Sequence, residues 1–271
     1  MGVLNVTPDS FSDGGRYIDP AAAVEHALSL ASQGADLIDV GGESSRPGAQ
    51  RIAASQQIAR TRPVVEAVRA ALDAEGFEPV VVSIDTTSAA VAEAALGAGA
   101  SMVNDISAGR EDPELLALAA KHRVPVCLMH MRGQPQTMQD QPLYDDVVPD
   151  VERFLNERTQ AAVDAGVARD QVVVDPGIGF GKTLEHNLAI LRSLDRFVAS
   201  GQPVLLGASR KSVLARLAGR PDLKVEPDPG GGTAATTALG VAAGARLFRV
   251  HDVALNRQAA DIADAIAGTP R

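Results

Sequence analysis

Short runs of branched apolar residues recur along the chain, and most are followed by a stretch whose apolar positions fall three and four apart. The runs predict strands over residues 3–6, 37–40, 80–84, 102–104, 124–129, 172–174, 204–206 and 247–250. They are continuously apolar rather than alternating, as strands of a parallel sheet covered on both faces are. Eight strands alternating with helices predict an α/β fold, a (β/α)8 TIM barrel forming one domain over residues 1–271. An open doubly wound sheet is the alternative, because periodicity alone does not report closure.

Helix boundaries are written locally. Asp19 reads as an N-cap, Pro20 as the first helical residue and Gly34 as the stop, with Val24, Leu28 and Ala31 facing the sheet. Thr183 reads as the cap of a helix carrying Leu184, Leu188, Leu191 and Val198. The stretch 219–232, with three prolines and four glycines after strand seven, predicts a loop that splits the seventh helical region, with Thr233 capping the second part. Two more long loops, 7–17 and 41–52, follow strands one and two, where long loops tend to carry function.

Composition excludes several classes. The net charge of −9 gives no basic footprint for nucleic acid. No segment approaches the roughly 18 consecutive apolar residues of a membrane helix. The lone cysteine, Cys127, sits in an apolar run with no activating neighbour, so it reads as an inert buried thiol and points to the cytoplasm. Met1-Gly2-Val3-Leu4 opens almost directly on the first strand, which predicts no signal peptide and suggests that a short lead-in is missing.

Polar motifs sit where the apolar runs end. Ser83-Ile84-Asp85-Thr86, Asp175-Pro176-Gly177-Ile178-Gly179-Phe180-Gly181-Lys182 and Ser209-Arg210-Lys211-Ser212 each precede a helical segment, and in a barrel such loops share one face. The glycine-rich motif fails the P-loop spacing and the dinucleotide pattern, since Lys182 stands where a third glycine belongs. Its glycines suit a sharp turn beside a flat ligand. Asp85, Asn104 and Asp175 end strands three, four and six, a costly place for polar groups unless a ligand or partner meets them. With Lys211 they suit a ring bearing an edge of N–H donors, such as a guanine or a pterin. Arg249 and His251 alternate onto the mouth side of strand eight and, with Asn5 across the closure, predict an anion site. His26, His122 and His186 read as helix-surface residues, and His130 stays open. The spacing of a zinc site is absent.

The motifs together resemble those of the dihydropteroate synthases. Asn5-Val6-Thr7-Pro8-Asp9-Ser10-Phe11-Ser12-Asp13-Gly14-Gly15 and Asp39-Val40-Gly41-Gly42-Glu43-Ser44-Ser45-Arg46-Pro47-Gly48 look like that family's two mobile loops, and Met129-His130-Met131-Arg132-Gly133 joins the motifs above in the family's order. The resemblance spans the chain. It implies a TIM barrel that joins 6-hydroxymethyl-7,8-dihydropterin diphosphate to 4-aminobenzoate. It implies pterin contacts from Asp85, Asn104, Met129, Asp175, Lys211 and Arg249, and diphosphate contacts from Asn5, Ser45, Arg249 and His251, with Asn5 also touching Mg²⁺. Phe11, Arg46, Pro47, Phe180 and Ser212 would shape the aminobenzoate pocket. Asp13 would face a cation formed in the reaction, so that Asp13, Lys211, Arg249 and His251 form the catalytic set. Ser45 departs from the threonine of many members but keeps the hydroxyl. The resemblance also implies a homodimer and a sulfonamide target. A methyltransferase domain binding a methylated folate on a similar barrel, and a non-catalytic pterin-binding paralogue, are the rivals. The first has no need of the Arg249/His251 anion site, and intact loops one and two argue against the second.

Overall fold

All eight expected strands form, and all pair in parallel. The computed structural model describes residues 1–6, 20–44, 51–133, 138, 142–219 and 230–268. Among these the order is β1 (Gly2–Asn5), α1 (Pro20–Ser32), β2 (Leu37–Gly41), α2 (Ala54–Ala74), β3 (Val81–Asp85), α3 (Ala89–Leu96), β4 (Met102–Asp105), α4 (Glu114–His122), β5 (Val126–Met129), α5 (Val147–Asp164) and β6 (Val172–Asp175). Then follow α6 (Leu184–Arg192), α7 (Leu194–Val198), β7 (Leu205–Leu206), α8 (Ser212–Leu217), α9 (Gly231–Ala242), β8 (Leu247–Phe248) and α10 (Val253–Ala267).

Strands β1 to β6 form one continuous ladder, and β7 pairs with β8. Single bridges join Val174 to Val204 and Gly2 to Val250, and the amide of Val3 donates to Val250 O at 3.1 Å. The sheet therefore closes on itself as a TIM barrel, which removes the open-sheet alternative. β7 and β8 are shorter than the apolar runs suggested. Their outer residues still pair, through single bonds such as Arg249 N–H to Leu206 O at 3.1 Å, but they no longer run as a ladder.

The barrel interior explains the placement of the polar residues. Met1, Met102, Cys127, Val173 and Leu205 form a separate buried cluster against Leu37, Val81 and Leu247, which is the floor. Two residues farther along the strands, the same alternation brings Asp39, Asn104, Met129, Asp175 and Arg249 to the next layer up. The intervening residues, such as Ile38, Val82, Val103, Leu128 and Val174, pack outward in the main core with the helices. Cys127 is fully buried in the floor, and burial pushes its thiol well above the usual range, as an inert cysteine requires.

Local details differ in places from the expectation. α1 begins at Pro20 and Gly34 follows it at φ +95°, but the buried face is Ala23, Ala27, Leu30 and Ala31, with Val24 and Leu28 at its flanks. Small alanines let this helix lie close to the strands. Asp19 lies outside the described residues. Thr183 caps α6 as expected, and His186 completes a reciprocal capping box, so His186 is a structural residue rather than an ordinary surface one. The helical region after it breaks at Ser193, and its buried face is Asn187, Ile190, Leu194 and Phe197. Thr233 is not a cap. Gly230, at φ +101°, caps α9, and Thr233 is buried in the first turn. The positive φ is what calls for glycine here, and a Cβ would also displace the Leu255 side-chain tip 2.5 Å away.

Candidate active site

The acceptors predicted from strand ends converge at the mouth. Asp85 is the last residue of β3, Asn104 lies on β4 and Asp175 ends β6. The Gly177 amide donates to Asp175 Oδ1 at 2.7 Å, which fixes the carboxylate and leaves its other oxygen for a ligand. Burial raises the pKa of Asp175, against the opposing pull of Lys211. Burial likewise raises Asp85 to about 7, although the Arg249 guanidinium favours its charged form.

Asp39 is the functional residue that sequence reasoning missed. It is wholly buried in the middle of β2 and holds two other residues directly, one of which reaches on to Asp85. Arg249 Nε donates to Asp39 Oδ2 at 2.7 Å, Arg249 Nη2 donates to Asp85 Oδ2 at 2.8 Å, and Asn104 Nδ2 donates to Asp39 Oδ2 at 3.0 Å. The Asn104 amide is thereby oriented, with its carbonyl oxygen as the group left to meet a ligand. Burial opposes the Arg249 charge, but Asp39 and Asp85 outweigh it and hold the guanidinium above its usual range. The available signal was a lone carboxylate inside the apolar run Leu37-Ile38-Asp39-Val40.

The loop after β6 turns on glycines, as expected for a backbone that bends beside a flat ligand. Gly177 has φ +69°, and a Cβ there would fall 1.9 Å from His130 O. The loop presents Phe180, which packs against Met129, Met131 and Met138. Lys211 Nζ stands 4.4 Å from the centre of the Phe180 ring and donates to Ile178 O. Burial lowers Lys211 to about 8, with Asp175 pulling the other way. Ser212 begins α8 and is exposed beside this cation.

In the same loop as Lys211, Ser209 Oγ lies 3.0 Å from His251 Nδ1, and the His251 amide donates to Ser209 Oγ at 3.3 Å. Ser209 thus touches His251, one of the residues expected to meet an anion. Asn5 Oδ1 and Asp85 Oδ2 flank Gly41, at 3.5 and 3.6 Å from where a Cβ would stand, so both face the end of β2. Arg249 spans two carboxylates rather than standing free beside His251. Phe11, Asp13, Ser45, Arg46 and Pro47 lie outside the described residues. Among the described residues no group of three or more His, Cys, Asp or Glu could hold a metal, and no helix is long and apolar enough to cross a membrane. The amide oxygen of Asn5 fits a hard cation that keeps most of its shell as water and ligand oxygen.

A closed parallel barrel with buried acceptors and two cations at its mouth defines an enzyme site for a flat, polar heterocycle. Residues 1–251 match the family model described as pterin binding enzyme. The chain is 44% identical over 266 residues to the dihydropteroate synthase of Synechocystis sp., covering 98% of this chain and 89% of that protein. A Yersinia pestis dihydropteroate synthase solved as a sulfonamide drug complex superposes with a TM-score of 0.88 at 42% identity, over 99% of this chain and 94% of that one. The Xanthomonas albilineans dihydropteroate synthase solved with 4-aminobenzoic acid gives a TM-score of 0.86 at 44% identity, over 99% and 93% of the two chains. The chain belongs to the pterin-binding enzymes and, within them, to the dihydropteroate synthase family.

Proposed function

We propose that this protein condenses 6-hydroxymethyl-7,8-dihydropterin diphosphate with 4-aminobenzoate, giving 7,8-dihydropteroate and diphosphate, and that residues 1–271 act as one catalytic domain. The observation that carries this reading is the convergence of buried Asn104 and Asp175 with half-buried Asp85 and Lys211 at one mouth. A pterin carries a row of N–H donors and ring acceptors, and the two carboxylates and the amide oxygen complement the donors. Each charge-assisted hydrogen bond of this kind contributes about 1.5–3 kcal/mol. Met129 lines the pocket and Arg249 packs along the ring.

In the reaction the bond from the exocyclic methylene to the diphosphate oxygen breaks, with its electron pair leaving on diphosphate. The arylamine nitrogen then bonds to the methylene carbon and loses a proton to water. A neutral arylamine needs position more than a strong base. Asn5, Ser45, Arg249 and His251 hold the diphosphate, with the Ser209 hydroxyl orienting the His251 ring. Lys211 keeps its charge over Phe180, and Asp13 faces the positive charge that develops on the pterin. Phe11, Arg46, Pro47, Phe180 and Ser212 shape the aminobenzoate pocket, which sulfonamides would share. Asn5 is the residue that would hold Mg²⁺, which when bound would neutralise charge on the departing diphosphate.

The protein acts as a homodimer in the cytoplasm. α10 buries only Val253 and Asn256, while Leu239 of α9 and Ile262 and Ile266 of α10 are 68%, 54% and 81% exposed, an apolar face that supports a second copy as its cover. The buried free thiol of Cys127 supports a reducing compartment.

The test is an assay of both products. Purified protein given pterin diphosphate, aminobenzoate and Mg²⁺ is expected to release diphosphate and form dihydropteroate in equal amounts, and chelation to suppress turnover. Folded protein that forms neither product would end this reading, and full turnover after complete metal removal would end its Mg²⁺ part.

A further inference from the structure

Lys182 is a buried lysine with no place in the proposed chemistry. It is 3% exposed, and every hydrogen bond its Nζ makes among the described residues goes to a backbone carbonyl or a ring nitrogen. Its Nζ instead sits among four acceptors: Gly177 O at 2.8 Å, His130 Nδ1 at 2.9 Å, Phe180 O at 3.1 Å and His130 O at 3.3 Å. An ammonium has three N–H donors and no lone pair, so it can serve this ring of acceptors. A methylene or a neutral amine would leave carbonyls unmet in a buried place. Burial pushes the lysine well below its usual range, but Asp175 and the ring of carbonyl acceptors around Nζ favour the charged form, and burial also pushes His130 down to about 2, so its ring is neutral and accepts at Nδ1.

The four acceptors belong to two loops. His130 ends the β5 run, while Gly177 and Phe180 belong to the glycine-rich turn after β6. Lys182 therefore fastens the turn to its neighbour, and Lys211 holds Ile178 O of the same turn. Between the two lysines lies Phe180, its carbonyl on one and its ring against the other.

We propose that Lys182 is a positioning residue: its ammonium sets the height of the Phe180 ring, and so the affinity for the arylamine substrate, without touching either substrate. This rests on the proposed placement of Phe180 in the aminobenzoate pocket.

The experiment is steady-state kinetics on the full chain with Lys182→Met, Phe180→Ala and the double variant, folding being checked by circular dichroism. Lys182→Met is expected to raise KM for aminobenzoate at least tenfold, with KM for pterin diphosphate changing less than threefold and kcat less than fivefold. In the Phe180→Ala background the same substitution is expected to add less than twofold, because its effect travels through that ring. An unchanged aminobenzoate KM, or an effect that multiplies in full in the double variant, overturns the proposal. If Lys182→Met does not fold, Lys182→Arg decides, since a guanidinium fork cannot converge on one point. It should raise aminobenzoate KM at least fivefold, and an unchanged value overturns the proposal. A wild-type protein with no turnover would count against the synthase reading instead.

Discussion

The two sides of the barrel hold their site residues by different means. From β1 to β6 the strands form a continuous parallel ladder, and Asp85 and Asp175 are strand residues held in register by it. From β6 round to β1 the wall thins to a two-residue ladder flanked by single bridges, and Lys211, Arg249 and His251 come from this side. The acceptors are placed by backbone pairing. The cations are placed by what they touch: Arg249 by Asp39 and Asp85 across the barrel, Lys211 by Ile178 O and the Phe180 ring. Long side chains that reach across a mouth let the wall behind them be thin. The cost is that the cations depend on partners elsewhere in the chain.

Removing such a partner is the sharpest way to break this contrast. Asp39→Ala leaves the Arg249 guanidinium with one carboxylate and frees the Asn104 amide. Breaking a buried pair in this way costs about 3 kcal/mol or more. Urea unfolding is expected to show that loss, and pterin affinity should fall with it. Stability and affinity both within error of wild type would mean that the backbone alone places Arg249.

A smaller effect separates the two sides by titration. Asp85, raised to about 7 by burial, loses its charge and one acceptor as pH falls through that value. Lys211, lowered to about 8 by burial, loses its ammonium as pH rises through that value. The pH profile of kcat/KM for pterin diphosphate reports groups of the free enzyme. It is expected to be bell-shaped, with an acid limb near 7 from the ladder side and an alkaline limb near 8 from the thin side. A profile flat from about pH 6 to about pH 9 would contradict both assignments.

The contrast also marks what could be read in the sequence. Asp85, Asn104 and Asp175 were legible because each stands where an apolar run stops, a costly place for a polar group unless a ligand or partner meets it. Asp39 was not, because it sits inside its run and its partners come from β4 and β8, which no local pattern connects. Lys182 reads in the sequence only as the residue that breaks a glycine motif, because its contacts include the His130 carbonyl and ring of a different loop. Strand existence followed from the apolar runs, but the brevity of β7 and β8 did not, since single bridges leave the same apolar signature as a ladder. The α9 cap was misplaced because Thr233 has the right chemistry for a cap, while Gly230 won through its backbone freedom and the close approach of Leu255.

The central claim, that strand-end acceptors grip a pterin ring, is tested most directly by calorimetric titration of a pterin into wild type and Asp175→Asn. The substitution keeps shape but replaces one acceptor with an N–H that faces the N–H edge of the ring. Pterin affinity is expected to fall at least tenfold, a loss of about 1.4 kcal/mol. A folded Asp175→Asn variant that binds the pterin as tightly as wild type would contradict the account.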